Sequence, residues 1–189
     1  MSTGAGKNLF TVLLLVIIVV MGLEIVYLMY QNRRLQAVVA ESSSLQILQE
    51  GQKVPPLTAP DLNGNQVNLR FGQNEPSTLL IWFSPSCHVC KENAAFWNDL
   101  FARFNKPGLR IVAMCDADVE VAKRYVAENA LAFPVVSVTD DRLIDAYNGR
   151  VMPQTALLSP LGGIVKVWPG ALERSRQDEV VTALNSLKQ

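Results

Sequence analysis

A long apolar stretch occupies residues 9–30, close to the amino terminus. As a helix, its 22 residues would measure about 33 Å, which is enough to cross the roughly 30 Å hydrocarbon core of a bilayer. Apart from its tyrosines, the only ionisable side chain in the stretch is Glu24. The pattern predicts a single transmembrane helix that follows a short tail of residues 1–8 and anchors the chain in a membrane.

A cleaved signal peptide is the alternative interpretation, because residues 38–40 are small enough for a peptidase site. Two observations favour a retained anchor. The apolar stretch is longer than the roughly 7–15 residues of a signal-peptide core, and Arg33 and Arg34 separate it from the candidate cleavage site.

Residues 31–53 are polar with scattered leucines and predict a juxtamembrane stalk or linker. Part of this segment fits a loose heptad that three consecutive serines interrupt. The heptad positions are Leu35, Val38, Leu45 and Leu48. A heptad can pair two copies of a chain, but so short and interrupted a pattern is more typical of a monomeric tether.

Strand and helix patterns alternate through residues 54–189, the predicted folded domain. Residues 61–69, with Asn-Gly at the turn, predict a short hairpin. Apolar runs predict buried strands at 78–83, 109–114 and 135–138. Helical spacing of apolar residues predicts helices at 91–104, 119–130 and 177–187. Residues 151–158 and 164–168 predict an antiparallel strand pair. Alternating strands and helices predict an α/β fold with a parallel sheet covered by helices on both faces, and the antiparallel pair at the end makes the predicted central sheet a mixed one.

The charges of the chain balance, with 17 Lys and Arg against 17 Asp and Glu. No overall field therefore draws it to nucleic acid, and nucleic-acid binding is not expected. Three cysteines are too few for a disulfide scaffold, and two of them, Cys87 and Cys90, form a CxxC motif. This spacing suggests either redox chemistry or half of a metal site.

Cys87 and Cys90 lie where the first buried strand leads into a helix. Cysteines three apart on a helix share a face, so their sulfurs can form a disulfide. The free N–H groups and the positive end of the helix stabilise the thiolate of the first cysteine, and the thiolate is the form that attacks another disulfide. Cys87 is the predicted nucleophile, and the more buried Cys90 is predicted to resolve the mixed disulfide.

Zinc binding is the competing interpretation of the CxxC motif. A structural zinc site needs four ligands, but the chain has no second CxxC motif, its single histidine is His88, and Cys115 by itself cannot complete the set. No metal is expected, and the redox-active disulfide Cys87-Cys90 takes the place of a cofactor. Cys115 ends an apolar strand and is predicted to be a buried structural residue.

Two residues beside the cysteines could tune their chemistry. His88, as a cation, would favour the Cys87 thiolate and make the disulfide more oxidising, although an exposed residue without a redox role is the alternative. Lys91 could add to the same field, but a simply solvated lysine is the more ordinary interpretation.

Met152 and Pro153 precede the last strand pair. A proline there removes a ladder hydrogen bond, which is tolerated at a sheet edge or in a special turn. A cis peptide bond is possible, but the residues by themselves favour a trans proline that opens a strand.

With the CxxC motif at a strand-to-helix junction and Met152-Pro153-Gln154-Thr155 ahead of the last strand pair, residues 51–189 resemble the thioredoxin superfamily. In that superfamily the late proline is cis and lies against the CxxC motif, and the backbone of its neighbour binds the substrate polypeptide. The resemblance implies that Met152 and Pro153 form part of a substrate-binding site.

The anchor, the hairpin and an inserted helix-strand unit around residues 116–138 resemble the TlpA/ResA branch, whose members are tethered outside the bacterial cytoplasmic membrane. Residues 84–91 are more similar still to MauD, a methylamine-utilisation accessory protein. The resemblance implies a thiol-disulfide oxidoreductase that acts on exported protein thiols in the maturation of envelope proteins. Its partners would be those thiols and a membrane thiol-electron donor or acceptor.

The predicted location is the bacterial inner membrane, with a single span and the catalytic domain on the periplasmic side. The flanking charges lean slightly the other way under the positive-inside rule, since Lys7 lies before the apolar stretch and Arg33 and Arg34 lie after it. Because a bulky domain can translocate past a few charges, the redox argument decides the orientation.

The sequence departs from the thioredoxin pattern at two positions. Ser86 stands where most thioredoxins have tryptophan, and Ile81 stands where cytoplasmic thioredoxins keep a buried aspartate. The proton acceptor for Cys90 is therefore unassigned. Glu92 is near in sequence, but its pattern is that of a solvated helix residue.

Three other functions compete with thiol exchange. Residues 83–87 faintly resemble the peroxidatic loop of peroxiredoxins, although Ser84 stands in place of the expected threonine. A copper chaperone of the Sco type would need a distant histidine, which the chain lacks, and more widely spaced cysteines. The third is an assembly scaffold in which the CxxC motif is idle.

Overall fold

The computed structural model describes the backbone of residues 4–44 and 47–187, and the side chains of residues 12–13, 15–33 and 47–187. The chain divides into two compact units, Met1–Ser43 and Ser44–Gln189.

The amino-terminal unit is formed by helix α1 (Gly4–Ser44). Within this helix, Leu15–Arg33 is long and apolar enough to cross a membrane, judged by length and composition. The helix continues through the first part of the predicted stalk. Leu45, one of the predicted heptad positions, lies outside the described residues.

The second unit begins with a hairpin of strands β1 (Leu57–Pro60) and β2 (Gln66–Leu69), as the Asn-Gly pattern predicts. At its turn, the Asp61 carboxylate accepts hydrogen bonds from the backbone N–H groups of Asn63 and Asn65 at 2.8 and 2.9 Å. Gly64 adopts a φ of +82°, a conformation that residues with a Cβ atom rarely accept.

A five-stranded mixed sheet forms the centre of the second unit, with the strand order β5-β4-β3-β6-β7. Strands β3, β4 and β5 are parallel, β6 runs antiparallel beside β3, and β7 runs antiparallel to β6 at the edge of the sheet. The strand bounds are Ser77–Phe83 for β3, Leu109–Cys115 for β4, Val135–Ser137 for β5, Gln154–Leu158 for β6 and Ile164–Pro169 for β7. The predicted α/β fold with a mixed sheet is confirmed.

Four helices flank the sheet: α2 (His88–Phe104), α3 (Val119–Glu128), α4 (Asp141–Ala146) and α5 (Arg174–Ser186). Helix α2 begins three residues before the predicted start, because Cys87 caps it. Helix α4 was not predicted, since its six residues are too few to display a helical period. Strand β6 begins three residues later than predicted, immediately after Pro153.

Both faces of the sheet are buried, which explains the continuous apolar run of β3. Its alternate residues contribute to two hydrophobic clusters. One cluster includes buried side chains of α2, α3 and α5, and the other includes the hairpin, α4 and the segment that leads into β1. Leu48, which the heptad pattern placed in the stalk, belongs to the second cluster and is therefore part of the domain core.

Candidate active site

A tight turn connects β3 to α2 and presents Cys87 at the N-cap, immediately before the first helical residue. The Cys87 N–H donates to the carbonyl of Ser84 at 3.1 Å, and the hydroxyl groups of Ser84 and Ser86 lie 2.9 Å apart. Cys87 has extended backbone angles, and its Sγ accepts a hydrogen bond from the Cys90 N–H at 3.2 Å. The sulfur of Cys87 therefore occupies the N-cap position, where free N–H groups and the helix dipole favour negative charge.

Cys87 and Cys90 form a disulfide, with their Cα atoms 5.3 Å apart. Cys90 is 0% exposed, whereas Cys87 is partly exposed. A molecule that approaches from solvent therefore meets the sulfur of Cys87 before that of Cys90.

The Met152-Pro153 peptide bond is cis. The trans state favoured by the residues themselves is therefore wrong, and the cis state implied by the resemblance is confirmed. Trp82 of β3 pairs with Gln154 of β6 in an antiparallel register. The residues that follow Trp82 therefore lie at the same end of the sheet as the residues that precede Gln154, which brings the turn before Cys87 and the Met152-Pro153 segment together.

Gln154 has a role that sequence reasoning missed. Its side-chain Nε2 donates to the carbonyls of Asn148 and Val151 at 2.7 and 2.8 Å, and its Oε1 accepts from the Leu48 N–H at 2.8 Å. The buried amide thus holds the loop that leads into Met152. Its partner Leu48 lies 106 residues away in the chain, so no local pattern could have revealed this contact.

The charged residues near the cysteines lie in solvent. His88 and Glu92 have side chains that are 88% and 57% exposed, and His88 Nε2 lies 3.6 Å from Glu92 Oε1. Lys91 is also exposed. Glu92 therefore has the solvated environment that its sequence position suggested, and the group that accepts the proton of Cys90 stays unassigned.

Cys115 is buried and does not take part in the disulfide. Burial, together with the negative charges of the nearby Asp116 and Asp118, raises the pKa of its thiol to about 12. The predicted structural burial is confirmed. At pH 8 its thiolate fraction is on the order of 10⁻⁴, so the thiol is a poor nucleophile.

Alkylation of the reduced native protein with iodoacetamide at pH 8 should therefore modify Cys87 first and leave Cys115 unmodified. Unfolding in guanidinium should expose Cys115 and allow its modification, which peptide mass spectrometry would detect. Modification of Cys115 in the native protein at the rate of a free cysteine would contradict its burial.

The disulfide lies at the N-terminus of a helix that follows a buried central strand, and a cis-proline segment lies at the same end of the sheet. This arrangement defines a thioredoxin-like redox protein. The chain belongs to the AhpC/TSA family, whose model matches residues 50–167. It is 30% identical over 129 residues to the thiol-disulfide oxidoreductase ResA of Bacillus subtilis (strain 168), covering 68% of this chain and 72% of ResA. The chain is therefore a thiol-disulfide oxidoreductase.

Two further comparisons extend this result. The chain is 28% identical over 137 residues to the peroxiredoxin Bcp of Xanthomonas campestris pv. campestris, covering 65% of this chain and 84% of that one. The solved thioredoxin domain of a thiol-disulfide oxidoreductase from Bacteroides vulgatus has a TM-score of 0.62 and 21% identity, covering 73% of this chain and 99% of that one. At this identity the structural likeness shows the fold alone.

Proposed function

We propose that the protein exchanges the Cys87-Cys90 dithiol and disulfide with the thiols of exported proteins, with Cys87 as the nucleophile and Cys90 as the resolving residue. The difference in exposure between the two cysteines carries this proposal. Of the two cysteines, only Cys87 is accessible to a substrate. Its sulfur accepts a hydrogen bond from the Cys90 N–H, and this bond would stabilise the Cys87 thiolate.

Exchange proceeds in two steps. The Cys87 thiolate attacks one sulfur of a substrate disulfide, so that a mixed disulfide forms and the other substrate sulfur leaves as a thiolate. The Cys90 thiolate then attacks the Cys87 sulfur, which releases the second substrate thiolate and closes the Cys87-Cys90 disulfide. Two electrons pass from the protein to the substrate, and the reverse sequence oxidises a substrate dithiol.

Met152 and Pro153 would bind the substrate segment that carries the reacting cysteine. Strand β6 begins at Gln154, which is the last ladder partner of β3, so the backbone of Met152 lies just beyond the paired part of the sheet. An extended peptide could pair with this backbone in the manner of an added strand. Backbone pairing depends little on side chains and would suit a protein that acts on several substrates.

The apolar segment Leu15–Arg33 supports membrane anchoring, and the thiol chemistry supports a position on the periplasmic side of the bacterial inner membrane. In that compartment an external membrane thiol carrier would reset the Cys87-Cys90 pair. The resemblance of residues 84–91 to MauD, and with it a role in the maturation of an exported enzyme, stays a prediction.

A peroxidase function is the second candidate, and the similarity to peroxiredoxin Bcp favours it. In that reaction the Cys87 thiolate would attack one oxygen of hydrogen peroxide, which breaks the O–O bond, leaves a sulfenic acid on Cys87 and releases water. The Cys90 thiol would then displace a second water from the sulfenic acid and close the disulfide. Consumption of hydrogen peroxide by the dithiothreitol-reduced protein, at a rate far above that of dithiothreitol itself, would support it. We expect no such excess.

The direct test is a redox titration of the full-length protein in detergent, against glutathione and dithiothreitol. We expect the Cys87-Cys90 pair to titrate as one two-electron couple, with about 30 mV for each tenfold change in the ratio. A potential near the roughly −270 mV of thioredoxin would indicate a reductant, and one near the roughly −120 mV of DsbA an oxidant. Failure to form the disulfide would contradict the proposed function.

The same titration tests the proposed tuning role of His88. In the proposed role, a protonated His88 stabilises the Cys87 thiolate of the reduced form, so His88→Ala should lower the potential. Because the side chain is 88% exposed, water screens its field, and we expect a shift of less than about 30 mV. An unchanged or raised potential would remove His88 from the candidate site.

A further inference from the structure

Asn93 is a buried polar residue on α2, three residues after Cys90 and only 3% exposed. Both ends of its side-chain amide are hydrogen-bonded to backbone. The Nδ2 donates to the Gly170 carbonyl at 3.1 Å, and the Oδ1 accepts from the Leu172 N–H at 2.9 Å. The side chain therefore fastens the CxxC helix to the loop that follows β7.

The same loop is bonded to the proline segment. The Gly170 N–H donates to the Pro153 carbonyl at 2.8 Å. The Gly170 carbonyl thus accepts a hydrogen bond from the Asn93 side chain, and the Gly170 N–H donates one to the Pro153 carbonyl. A continuous chain of hydrogen bonds runs from the helix of Cys87 and Cys90, through Gly170, to the segment proposed to bind substrate.

An amide is a costly way to fill this position. Asn93 adjoins the apolar cluster that contains Cys90, Ala94 and Trp97, where a leucine, which has the same branching at Cγ, would require no desolvation of a polar group. Hydrogen bonds recover part of that cost and fix a geometry that an apolar side chain would leave free. The bonds that Asn93 makes specify where the loop at Gly170 lies relative to α2.

We propose that Asn93 is a positioning residue that, through Gly170, sets the spacing between the Cys87-Cys90 disulfide and the Met152-Pro153 backbone. It thereby controls the binding of polypeptide substrates and leaves the intrinsic reactivity of the sulfurs unchanged. The inference rests on the proposed function. It adds that Asn93 gives the site its preference for polypeptide substrates over small thiols.

Asn98 provides a matched control on the same helix. Its Nδ2 donates to the Ala130 carbonyl at 2.9 Å, and its Oδ1 accepts from the Ala132 N–H at 2.9 Å. It therefore makes the same pair of backbone hydrogen bonds as Asn93 but connects α2 to the segment before β5. Asn98 is half-buried, whereas Asn93 is buried, so loss of Asn98 removes the same kind of backbone contact from a more exposed position without touching the link to Pro153.

The test compares Asn93→Leu and Asn98→Leu in the full-length protein, oxidised and held in detergent. Stopped-flow measurements follow reduction of the Cys87-Cys90 disulfide by dithiothreitol and, separately, by a short peptide that carries two reduced cysteines and leaves as an intramolecular disulfide. With Asn93→Leu we expect the rate constant for the peptide to fall about tenfold and that for dithiothreitol to change less than about twofold. With Asn98→Leu both rate constants should stay within about twofold of wild type.

Gly170→Ala reaches the same link from its other side, in case Asn93→Leu does not fold. A Cβ atom at Gly170 would meet nothing within 4 Å, but the φ of +78° is strained for alanine, so the loop must shift. Gly108→Ala is its control, because Gly108 also has a positive φ of +96° and open space, and it lies before β4 at the opposite end of the sheet. The peptide reaction should slow in Gly170→Ala only.

Two results would overturn the inference while leaving the proposed function intact. One is an equal loss with dithiothreitol and with peptide in the Asn93 and Gly170 variants. The other is an equal loss in the Asn93 and Asn98 variants, which would show a general structural role. If the wild-type disulfide reacts with neither reductant, the proposed function itself fails, and the inference fails with it.

Discussion

Replacement of Cys87 by serine is expected to abolish thiol-disulfide exchange, with a rate loss of about 10⁴-fold or more. A serine hydroxyl is not ionised near neutral pH, and Cys90 cannot take over the attack because it is 0% exposed. The measurement is the rate at which the dithiothreitol-reduced, full-length protein cleaves the disulfides of insulin.

Cys90→Ser should behave differently, although it also stops turnover. Cys87 can still attack, but no second thiol is present to release the substrate, so a mixed disulfide through Cys87 should accumulate and be visible by mass spectrometry. Cys115→Ser is the matched control and should retain near wild-type exchange, since Cys115 is buried outside the disulfide. Full function of Cys87→Ser in cells would instead support a scaffold with an idle CxxC motif.

Elements with strong local patterns could be predicted from the sequence. Strand β3 is buried over its whole length. A strand that is buried on both faces has a nearly continuous apolar sequence, which made β3 easy to predict. Helix α4 could not be predicted, because its six residues are shorter than two helical turns. Leu48 was placed in the stalk because a heptad position and a core position are both occupied by leucine, and only the tertiary fold separates them.

The candidate site divides in the same way. The CxxC spacing and the strand before it are local, so the cysteine pair and its place at a strand-to-helix junction could be predicted from the sequence, although the helix begins three residues earlier than predicted. The cis state of the Met152-Pro153 bond was not, because the residues by themselves favour trans. Asn93 also escaped notice, since its partner Gly170 lies 77 residues away and an isolated asparagine on a helix indicates no particular contact.

The close packing of Gly149 against Trp82 leads to the largest expected effect on stability. A Cβ atom at Gly149 would overlap the Trp82 indole ring, and Trp82 is fully buried in the core. The ring has little room to move, because Tyr147 stacks on it with centroids 6.2 Å apart and the Tyr147 hydroxyl donates to the Pro55 carbonyl. Gly149→Ala should therefore destabilise the domain by about 3 kcal/mol, at the upper end of overpacking effects.

Thermal unfolding followed by circular dichroism would show this loss as a decrease in Tm of roughly 10 °C. Gly72→Ala is the appropriate control, because the nearest atom to its added Cβ would be Glu75 Cγ at 3.9 Å, an ordinary contact. Neither glycine has a positive φ, so backbone strain is the same in both variants and only the clash differs. If the Tm of Gly149→Ala equals that of the Gly72→Ala control, the Trp82 ring can shift to make room for the added Cβ atom. The loop from Asn148 to Val151, which the Gln154 amide holds ahead of Met152, would then be more adaptable than its hydrogen bonds suggest.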